Sequence, residues 1–422
     1  MENFFYLAKD IFVALFCLCF ILYLFKFVYF AFGFVPQKHF PKSEKKNKIA
    51  VLVAARDESA VIDDLLITLD RQTYDKSLYH TFIIVADEKD KTIDIASKYA
   101  NTTCYVVDKN LKGKGRALDY GITQLKKEFG DVFDAYLIID ADNTANDNLI
   151  EKMNDAFSQG YDIVIGKKLN KSWKEGVVSN CSALTYTFID TLNNKFRSKA
   201  GGNVTITGTG VLVSKKIIND KGGWKFHTIT EDYELTLDSV VNNYKSYYYE
   251  HAVLTTEEPS SLKTTKVRRL RWIKGHNQVE SMYRRKQFSQ LFAWGDGNKF
   301  FQFEYLFSLT PIILALVGIL AFSIVCLVTA VYGFIKNIEL ALFALLCLAV
   351  VLGVLYVILV VYTLLALIVD KKSMDLTFKQ KVAITLFNPF FLMMYVPIYA
   401  RAVFVKEVEW VPIEHEVVLN TK

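Results

Sequence analysis

Short apolar runs alternate with longer amphipathic stretches through the middle of the chain. The runs are nearly continuous in apolar residues, and they cover 48–55, 80–87, 103–107, 135–140 and 162–166. Strands of this kind are typical of a parallel sheet that is buried on both faces. Helical spacing fills the stretches between them, near 60–70, 91–100, 114–128 and 147–158. The alternation predicts an α/β domain with a mostly parallel sheet.

Longer apolar stretches lie towards both ends of the chain. Residues 11–34 form the first, 305–334 and 338–369 form two more, and 382–404 form a weaker fourth that Pro389 and Pro397 interrupt. About 20 apolar residues are enough to cross the hydrocarbon core of a bilayer. The first stretch lacks the small-residue cleavage site of a signal peptide, so we expect a retained anchor. The pattern therefore predicts a multi-pass membrane protein whose middle segment has a soluble character.

Charge and cysteine content add an orientation and exclude some classes of protein. The first apolar stretch is followed by Lys38, Lys42, Lys45, Lys46 and Lys48. Positive flanks mark the cytoplasmic side of a span, so we expect the middle segment in the cytoplasm, at the cell membrane. The net charge of +6 is modest, and no basic and aromatic interleaving indicates a nucleic-acid partner. No CxxC or Cys/His spacing predicts a zinc site or a disulfide framework.

Acidic residues follow three of the predicted strands. They are Asp57 and Glu58, then Asp87, and then Asp140 and Asp142. Ligands of parallel sheets bind at the carboxyl ends of the strands. Each acidic cluster alone is explained by a turn or a helix start, but three clusters at one edge favour a ligand site. Two carboxylates spaced by one residue suit Mg²⁺, which proteins hold with one or two carboxylates and substrate phosphates.

Three further segments carry candidate chemistry. Lys114 lies between glycines at the start of a predicted helix, where a phosphate or a diphosphate would bind, although a solvated loop that caps a helix explains it too. Thr228 and Glu231 fit a capping box. The alternative for that segment is that Asp232 acts as a general base towards an acceptor hydroxyl.

The third segment, 263–276, is a basic helix with one tryptophan. A helix on the membrane surface explains Lys263 and Lys266. For Arg268, Arg271 and Trp272, a diphosphate clamp with an aromatic platform for a sugar ring is an equally good interpretation.

Taken in order, these motifs resemble the membrane-bound family 2 glycosyltransferases, which include cellulose, hyaluronan and poly-N-acetylglucosamine synthases. The resemblance covers roughly residues 47–300, and it rests on the ordered set rather than on any single motif. It implies a glycosyltransferase domain of the GT-A type, flanked by transmembrane helices. Its cofactor would be Mg²⁺ or Mn²⁺, and its partners would be a UDP-sugar, a growing polysaccharide or lipid-linked acceptor, and membrane lipids.

The resemblance also implies roles for individual residues. The donor site would consist of seven residues: Ala55, Glu58 and Asp87 at the uridine, Lys114 and Asp140 near the donor, and Arg268 and Arg271 at the diphosphate. Asp142 would hold the metal ion. The acceptor would contact Gly208, Thr209, Gly210 and Trp272. Asp232, with Glu231 beside it, would be the catalytic base and would invert an α-linked donor into a β-linked product.

The resulting expectation is a synthase that elongates and translocates a β-linked polysaccharide from UDP-glucose or UDP-N-acetylglucosamine. Arg268 stands where synthases that extend a polymer commonly have Gln, so single addition to a lipid-linked or membrane acceptor stays an alternative. A non-catalytic membrane scaffold on a transferase fold is a further one. The expected division of the chain is an anchor at 1–45, a transferase domain at 46–260, a basic interface region at 261–300, membrane or interfacial helices at 301–404 and a tail at 405–422. Four full spans would place the tail outside, whereas an interfacial 382–404 would place it in the cytoplasm, with Trp410 and His415 near the site.

Overall fold

The structure is a computed structural model that describes residues 1–108, 111, 113–171, 173, 175–293, 298–307, 310–405 and 408. The strands in these residues are β1 (Ile49–Ala54), β2 (Tyr79–Val85), β3 (Thr102–Val106), β4 (Ala135–Ile138), β5 (Thr144–Ala145), β6 (Ile163–Asn170), β7 (Val211–Ser214) and β8 (Ser246–Thr256). Within the described residues they form one sheet in the order β3-β2-β1-β4-β7-β6-β8-β5.

The half of the sheet from β3 to β4 is entirely parallel. Strand β7 then runs antiparallel between β4 and β6, and β6 pairs with β8 in parallel. The predicted α/β domain with a mostly parallel sheet is confirmed, and the five predicted strands are β1 to β4 and β6. Strands β5, β7 and β8 were not predicted. The first two are only two and four residues long, too short to show a pattern.

Helices cover both faces of the sheet, as strands that are apolar throughout require. The four predicted helices are α3 (Ile62–Asp70), α4 (Thr92–Ala96), α5 (Lys114–Phe129) and α6 (Leu149–Phe157). Alternate residues of β1 enter two separate cores. One core packs against α3, α4 and α6, and the other packs against α5. The ends of the strands are therefore held rigidly from both sides.

The remaining helices of the soluble segment lead towards the membrane-type helices. They are α7 (Val177–Tyr186), a π-helical segment (Thr187–Asn194), α8 (Lys195–Lys199), α9 (Lys215–Lys221), α10 (Glu231–Val241) and α11 (Leu262–Phe292). The apolar helices are α1 (Glu2–Tyr23), α2 (Lys26–Gly33), α12 (Lys299–Phe307), α13 (Thr310–Lys336), α14 (Ile338–Val369), α15 (Phe378–Met393) and α16 (Tyr395–Phe404).

Four stretches of the described chain are long and apolar enough to cross a membrane: Glu2–Tyr23, Lys299–Lys336, Ile338–Val369 and Phe378–Phe404. The first differs from the predicted 11–34, because one helix ends at Tyr23 and a separate one starts at Lys26. The Lys26 ammonium is buried and lies 2.5 Å from the Glu304 carboxylate. Its Nζ also donates to Asn193 Oδ1 in the π-helical segment at 3.2 Å, so this charged residue ties α2 to α12 and to the soluble segment instead of continuing the span.

The segment 382–404, which was ambiguous in the sequence, contacts the soluble domain at both ends. Near its start, Gln380 Nε2 donates a hydrogen bond to the Trp173 carbonyl at 3.2 Å. At its end, Lys274 Nζ donates to the Ala402 carbonyl at 3.3 Å. A full crossing would separate the two ends by the thickness of the hydrocarbon core, about 30 Å. The contacts therefore favour an interfacial segment. Trp410 and His415 lie outside the described residues.

Candidate active site

The residues singled out in the sequence meet around the ammonium group of Lys114. Its Nζ forms an ion pair with Asp140 Oδ1 and donates a hydrogen bond to the Gly208 carbonyl at 2.6 Å. Glu231 Oε1 lies 3.8 Å from the same Nζ. Three motifs that are distant in sequence therefore converge on one cation at the end of β4.

Two glycines bring Lys114 into this position. Gly113 has a φ of +102°, a backbone conformation that favours glycine. A Cβ atom added to Gly115 would lie 2.0 Å from the Phe226 carbonyl oxygen. The first turn of α5 therefore packs directly on the backbone that leads into α10. Because this contact leaves no room for a side chain, the glycines fix the distance between Lys114 and the acids of α10.

The acids around Lys114 keep it charged. Burial alone would lower its pKa, but the attraction of Asp140 and then of Glu231 outweighs burial, and the pKa of Lys114 is raised. An ammonium group that stays charged and pairs with carboxylates can also pair with the phosphate groups of a ligand.

The start of α10 corrects one interpretation of the sequence. The predicted capping box between Thr228 and Glu231 is wrong, because the helix is capped at Thr230, whose side chain makes no cap hydrogen bond. The Thr228 backbone amide instead donates to Glu234 at 2.9 Å. The helix starts later than the pattern predicted, and this frees Glu231 to face Lys114.

Asp232, next to Glu231, lies against residues 208–210, which we call the glycine loop. A Cβ atom on Gly208 would be 3.5 Å from Asp232 Oδ2, and Gly208 has a φ of +57°. The Tyr233 backbone amide donates to Asp232 Oδ1 at 2.8 Å. Burial raises the pKa of Asp232, against the hydrogen bond from Tyr233, and it raises the pKa of Glu231 to about 7. Both carboxyl groups therefore take up protons more readily than exposed acids do.

A short chain of hydrogen bonds fixes the turn that carries Asp140 and Asp142. The Asp140 amide donates to Thr209 Oγ1 at 3.0 Å, and that hydroxyl donates to Asn143 Oδ1 at 2.6 Å. Asn143 Nδ2 in turn donates to Asp142 Oδ1 at 2.6 Å. The sequence reasoning missed Asn143. Thr209 and Asn143 tie the acidic turn to the glycine loop and hold the Asp142 carboxylate in one orientation.

The chemistry of this turn fits a divalent cation only in part. Among the described residues, no group of three or more His, Cys, Asp or Glu side chains forms a closed metal site. Asp142 instead offers hard oxygen ligands beside the partly exposed Asp140. That set suits a cation which takes its other ligands from water and from substrate phosphates, as Mg²⁺ usually does.

The residues predicted for the uridine lie in the loops after β1 and β2. Ala55 is buried, and the Glu58 amide donates to Thr92 Oγ1 at 3.2 Å. Asp87 Oδ1 accepts from the Lys89 amide at 2.9 Å, which closes its own turn. The structure places all three at the predicted edge of the sheet. Their contact with a nucleotide stays a prediction.

Helix α11 brings its arginines and Trp272 to the same region. The guanidinium carbons of Arg268 and Arg269 lie 5.0 Å and 4.1 Å from the centre of the Trp272 ring. Burial lowers the pKa of Arg271, with Arg268 acting in the same direction, while Glu231 and other acids of the site oppose this. Arg271 therefore lies within electrostatic reach of the acids on α10, as the predicted diphosphate clamp requires.

The sequence analysis assigned no role to two residues of this region, Glu258 before α11 and Arg269 on it. Glu258 follows β8 and forms an ion pair with Arg268 at 3.4 Å. Arg269 is fully buried. The rule that located Asp140, an acid just after a strand, would have found Glu258 if β8 had been recognised.

Comparison with known proteins places these features in context. A family model described as "Glycosyltransferase like family 2" matches residues 46–275, more than half of the chain. The probable glycosyltransferase YdaM of Bacillus subtilis (strain 168) is 28% identical over 252 residues, which cover 55% of this chain and 56% of YdaM. Poly-beta-1,6-N-acetyl-D-glucosamine synthase of Staphylococcus aureus (strain COL) is 26% identical over 234 residues, 55% of each chain. The chain thus spans about half the length of the curated relatives it matches.

Among solved structures, the mannosyltransferase PcManGT from Pyrobaculum calidifontis, in complex with GDP-Man and Mn²⁺, is similar in fold. The TM-score is 0.57 at 14% sequence identity, and the alignment covers 95% of this chain and 100% of that one. At this identity the similarity concerns the fold alone. It extends over nearly all of the chain and so includes the apolar helices.

Proposed function

The chain belongs to the glycosyltransferase-like family 2, and from that premise we propose that it transfers a sugar from a UDP-sugar with inversion, to elongate a β-linked polysaccharide. It is a glycosyltransferase with a GT-A-like fold, flanked by helices that are apolar enough to span a membrane. One observation carries the proposal. Lys114 lies between Asp140, Glu231 and Gly208, with Asp232 against the same glycine.

The donor would bind across the ends of the parallel strands. Ala55, Glu58 and Asp87 would contact the uridine. Lys114 and Arg271 would hold the diphosphate, because both cations already face the acids at this edge. When a diphosphate binds, its oxygens would replace part of the contact that the Lys114 ammonium now makes with Asp140.

Asp142 would hold Mg²⁺ or Mn²⁺, with the remaining ligands coming from the donor diphosphate and water. The ion would supply neutralisation of the charge that develops on the departing UDP. Asn143 fixes the Asp142 carboxylate for this purpose.

The chemical step needs a base on the acceptor side, and Asp232 would supply it. Its carboxylate would take the proton from an acceptor hydroxyl. The hydroxyl oxygen then bonds to the anomeric carbon while the bond from that carbon to the diphosphate breaks, and UDP leaves with the electron pair. Attack from the side opposite the diphosphate inverts an α-linked donor. The raised pKa of Asp232 brings the base closer to neutral pH, where proton transfer is efficient.

The sugar and the length of the product are the finer parts of the proposal. N-acetylglucosamine is the leading candidate, because the staphylococcal relative is named a poly-beta-1,6-N-acetyl-D-glucosamine synthase, and glucose is the other. Polymer extension is supported by the course of α11, which leads from Trp272 at the site towards α12 and the next span. The second candidate is single addition to a lipid-linked or membrane acceptor. It is favoured by Arg268, which stands where synthases that extend a polymer commonly have Gln.

We also propose a location in the cell membrane with the transferase domain in the cytoplasm. The domain division would follow the expected limits: 1–45, 46–260, 261–300, 301–404 and 405–422. With 382–404 in the interface, the tail would lie on the cytoplasmic side, next to membrane lipids.

The experiment uses the purified full chain in detergent, a panel of UDP-sugars, and Mg²⁺ or Mn²⁺. UDP release identifies the donor, and sizing with glycosidase digestion identifies the product. We expect chelation and Asp142→Asn to abolish transfer without unfolding the protein. The matched control is Asp147→Asn, since Asp147 is an exposed acid a few residues further on. Folded protein that releases no UDP from any donor would contradict the proposal.

A further inference from the structure

Glu258 is a buried carboxylate that the mechanism above does not use. It is 1% exposed and follows the end of β8. Its Oε2 accepts a hydrogen bond from the Ser182 hydroxyl, and its Oε1 lies 3.4 Å from Nη1 of Arg268. A carboxylate with so little exposure is costly unless it is paired. Its position between α7 and α11 therefore needs an explanation.

The explanation starts from two neighbouring cations. Arg268 and Arg269 follow each other on α11, and both guanidinium groups contact the Trp272 ring. Arg269 is fully buried, and its Nη2 donates to Ser182 Oγ at 2.9 Å. The Ser182 hydroxyl thus accepts from Arg269 and donates to Glu258. Arg269, Ser182, Glu258 and Arg268 form one connected set around Trp272.

Arg268 is also within electrostatic reach of the turn that carries Asp140 and Asp142. Burial lowers the pKa of Arg268, but Glu258, Tyr186, Asp142 and Asp140 together outweigh burial, and the pKa is raised. Nη2 of Arg268 in addition donates to the Tyr186 hydroxyl at 3.4 Å. The guanidinium therefore pairs with a buried acid and lies within electrostatic reach of the turn where the donor diphosphate would bind.

We propose that Glu258 is a positioning residue for the donor site. It holds Arg268 against the ring of Trp272 and compensates the charge of the partly exposed Arg268 and the buried Arg269, so that Arg268 faces the diphosphate of the bound UDP-sugar. This inference rests on the proposed function. Without the carboxylate, two like charges share one aromatic ring with less compensation, and Arg268, which is already partly exposed, would turn away towards water.

The test compares Glu258→Gln, Arg268→Gln and the double variant with the parent protein. The KM for the UDP-sugar, kcat and product length are measured on monodisperse protein. We expect Glu258→Gln to raise the KM by about tenfold or more, because truncating one partner of a buried charge pair leaves the other unpaired. Glu258→Asp should recover part of the loss. The neighbouring Glu257→Gln is the matched control, since Glu257 is less buried, and its KM should stay at the parent value.

The decisive comparison uses the Arg268→Gln background, which stays informative even if Glu258→Gln alone fails to fold. If Glu258 acts through Arg268, adding Glu258→Gln there should change the KM by less than about twofold. A further tenfold rise would overturn the proposal, as would a Glu258→Gln variant with parental KM and product length. A purely structural role would lower the unfolding temperature and the active fraction, leave the KM unchanged, and so overturn it too.

Assays of the parent protein distinguish a failure of the positioning role from a failure of the proposed function. If it releases UDP and Glu258→Gln behaves like the parent, only the positioning role fails. If the folded parent protein uses no UDP-sugar, the proposed function fails, and this inference fails with it.

Discussion

Replacing Gly115 by alanine would test how strictly the site depends on the approach of α5 to the chain before α10. The new Cβ would lie 2.0 Å from the Phe226 carbonyl oxygen, whereas contacts under 3.0 Å essentially never occur. The obstacle is backbone, so no side-chain rotation can relieve it. The first turn of α5 must move, and Lys114 moves with it.

The size of the effect follows from the distances. Relieving the clash needs a shift of about 1 Å, which would lengthen the hydrogen bond from Lys114 to Gly208 from 2.6 Å to about 3.6 Å, beyond its usual limit. Misplacement of a catalytic group by about 1 Å can cost about 10²-fold in rate. Alanine also favours a helix over glycine by about 1 kcal/mol, which offsets part of the strain. We therefore expect a large loss of kcat/KM with a small change in stability.

The assay measures UDP release from the preferred donor, UDP affinity by calorimetry, and thermal unfolding in the same detergent. Gly121→Ala is the matched control, because it lies later in α5 and its Cβ would meet the Ile84 side chain at 2.7 Å instead of backbone. We expect at most a severalfold loss there. A Gly115→Ala protein with parental turnover and UDP affinity would refute the argument that this contact positions Lys114.

Three further predictions concern acids of the site and of the membrane junction. Asp232→Asn should keep UDP affinity within about twofold by calorimetry and lose about 10²–10⁴-fold in single-turnover transfer. A joint loss of binding, turnover and folding would instead assign Asp232 to structure. The pKa of Glu231 is raised to about 7, so its contribution to stability is complete below about pH 4.5 and is lost as the pH rises through about 7. Over that window UDP affinity should weaken as the Glu231 carboxyl loses its proton and becomes negatively charged. Glu231→Gln should flatten the dependence of UDP affinity on pH, and a variant with the parental pH dependence would contradict this. Glu304→Gln should cost about 3–5 kcal/mol in denaturation, because Lys26 and Arg197 contact this carboxylate at 2.5 and 2.6 Å. The exposed Glu339 gives the control Glu339→Gln.

The sequence alone determined the parallel part of the sheet and the edge at which ligands bind. A strand buried on both faces must be apolar throughout, so the runs at β1 to β4 and β6 were visible without any tertiary information. Asp140 and Asp142 follow such a run, and their place at the carboxyl end of β4 follows from the chain direction. The apolar stretches at both ends were visible for the same reason, because length and composition decide whether a helix can cross a bilayer.

Only the tertiary structure decided which side chains meet. A local pattern records the period and burial of an element, but the contact between Lys114 and Glu231 depends on how closely α5 packs on the backbone at Phe226. The same pattern gave Glu231 a capping role, which was wrong because the start of the helix depends on tertiary contacts. The sequence analysis missed Glu258 because its role depends on contact with Arg268, which lies on another element, α11. The segment 382–404 reads as a span by composition, and it is its contacts with the soluble domain at both ends that favour an interfacial position.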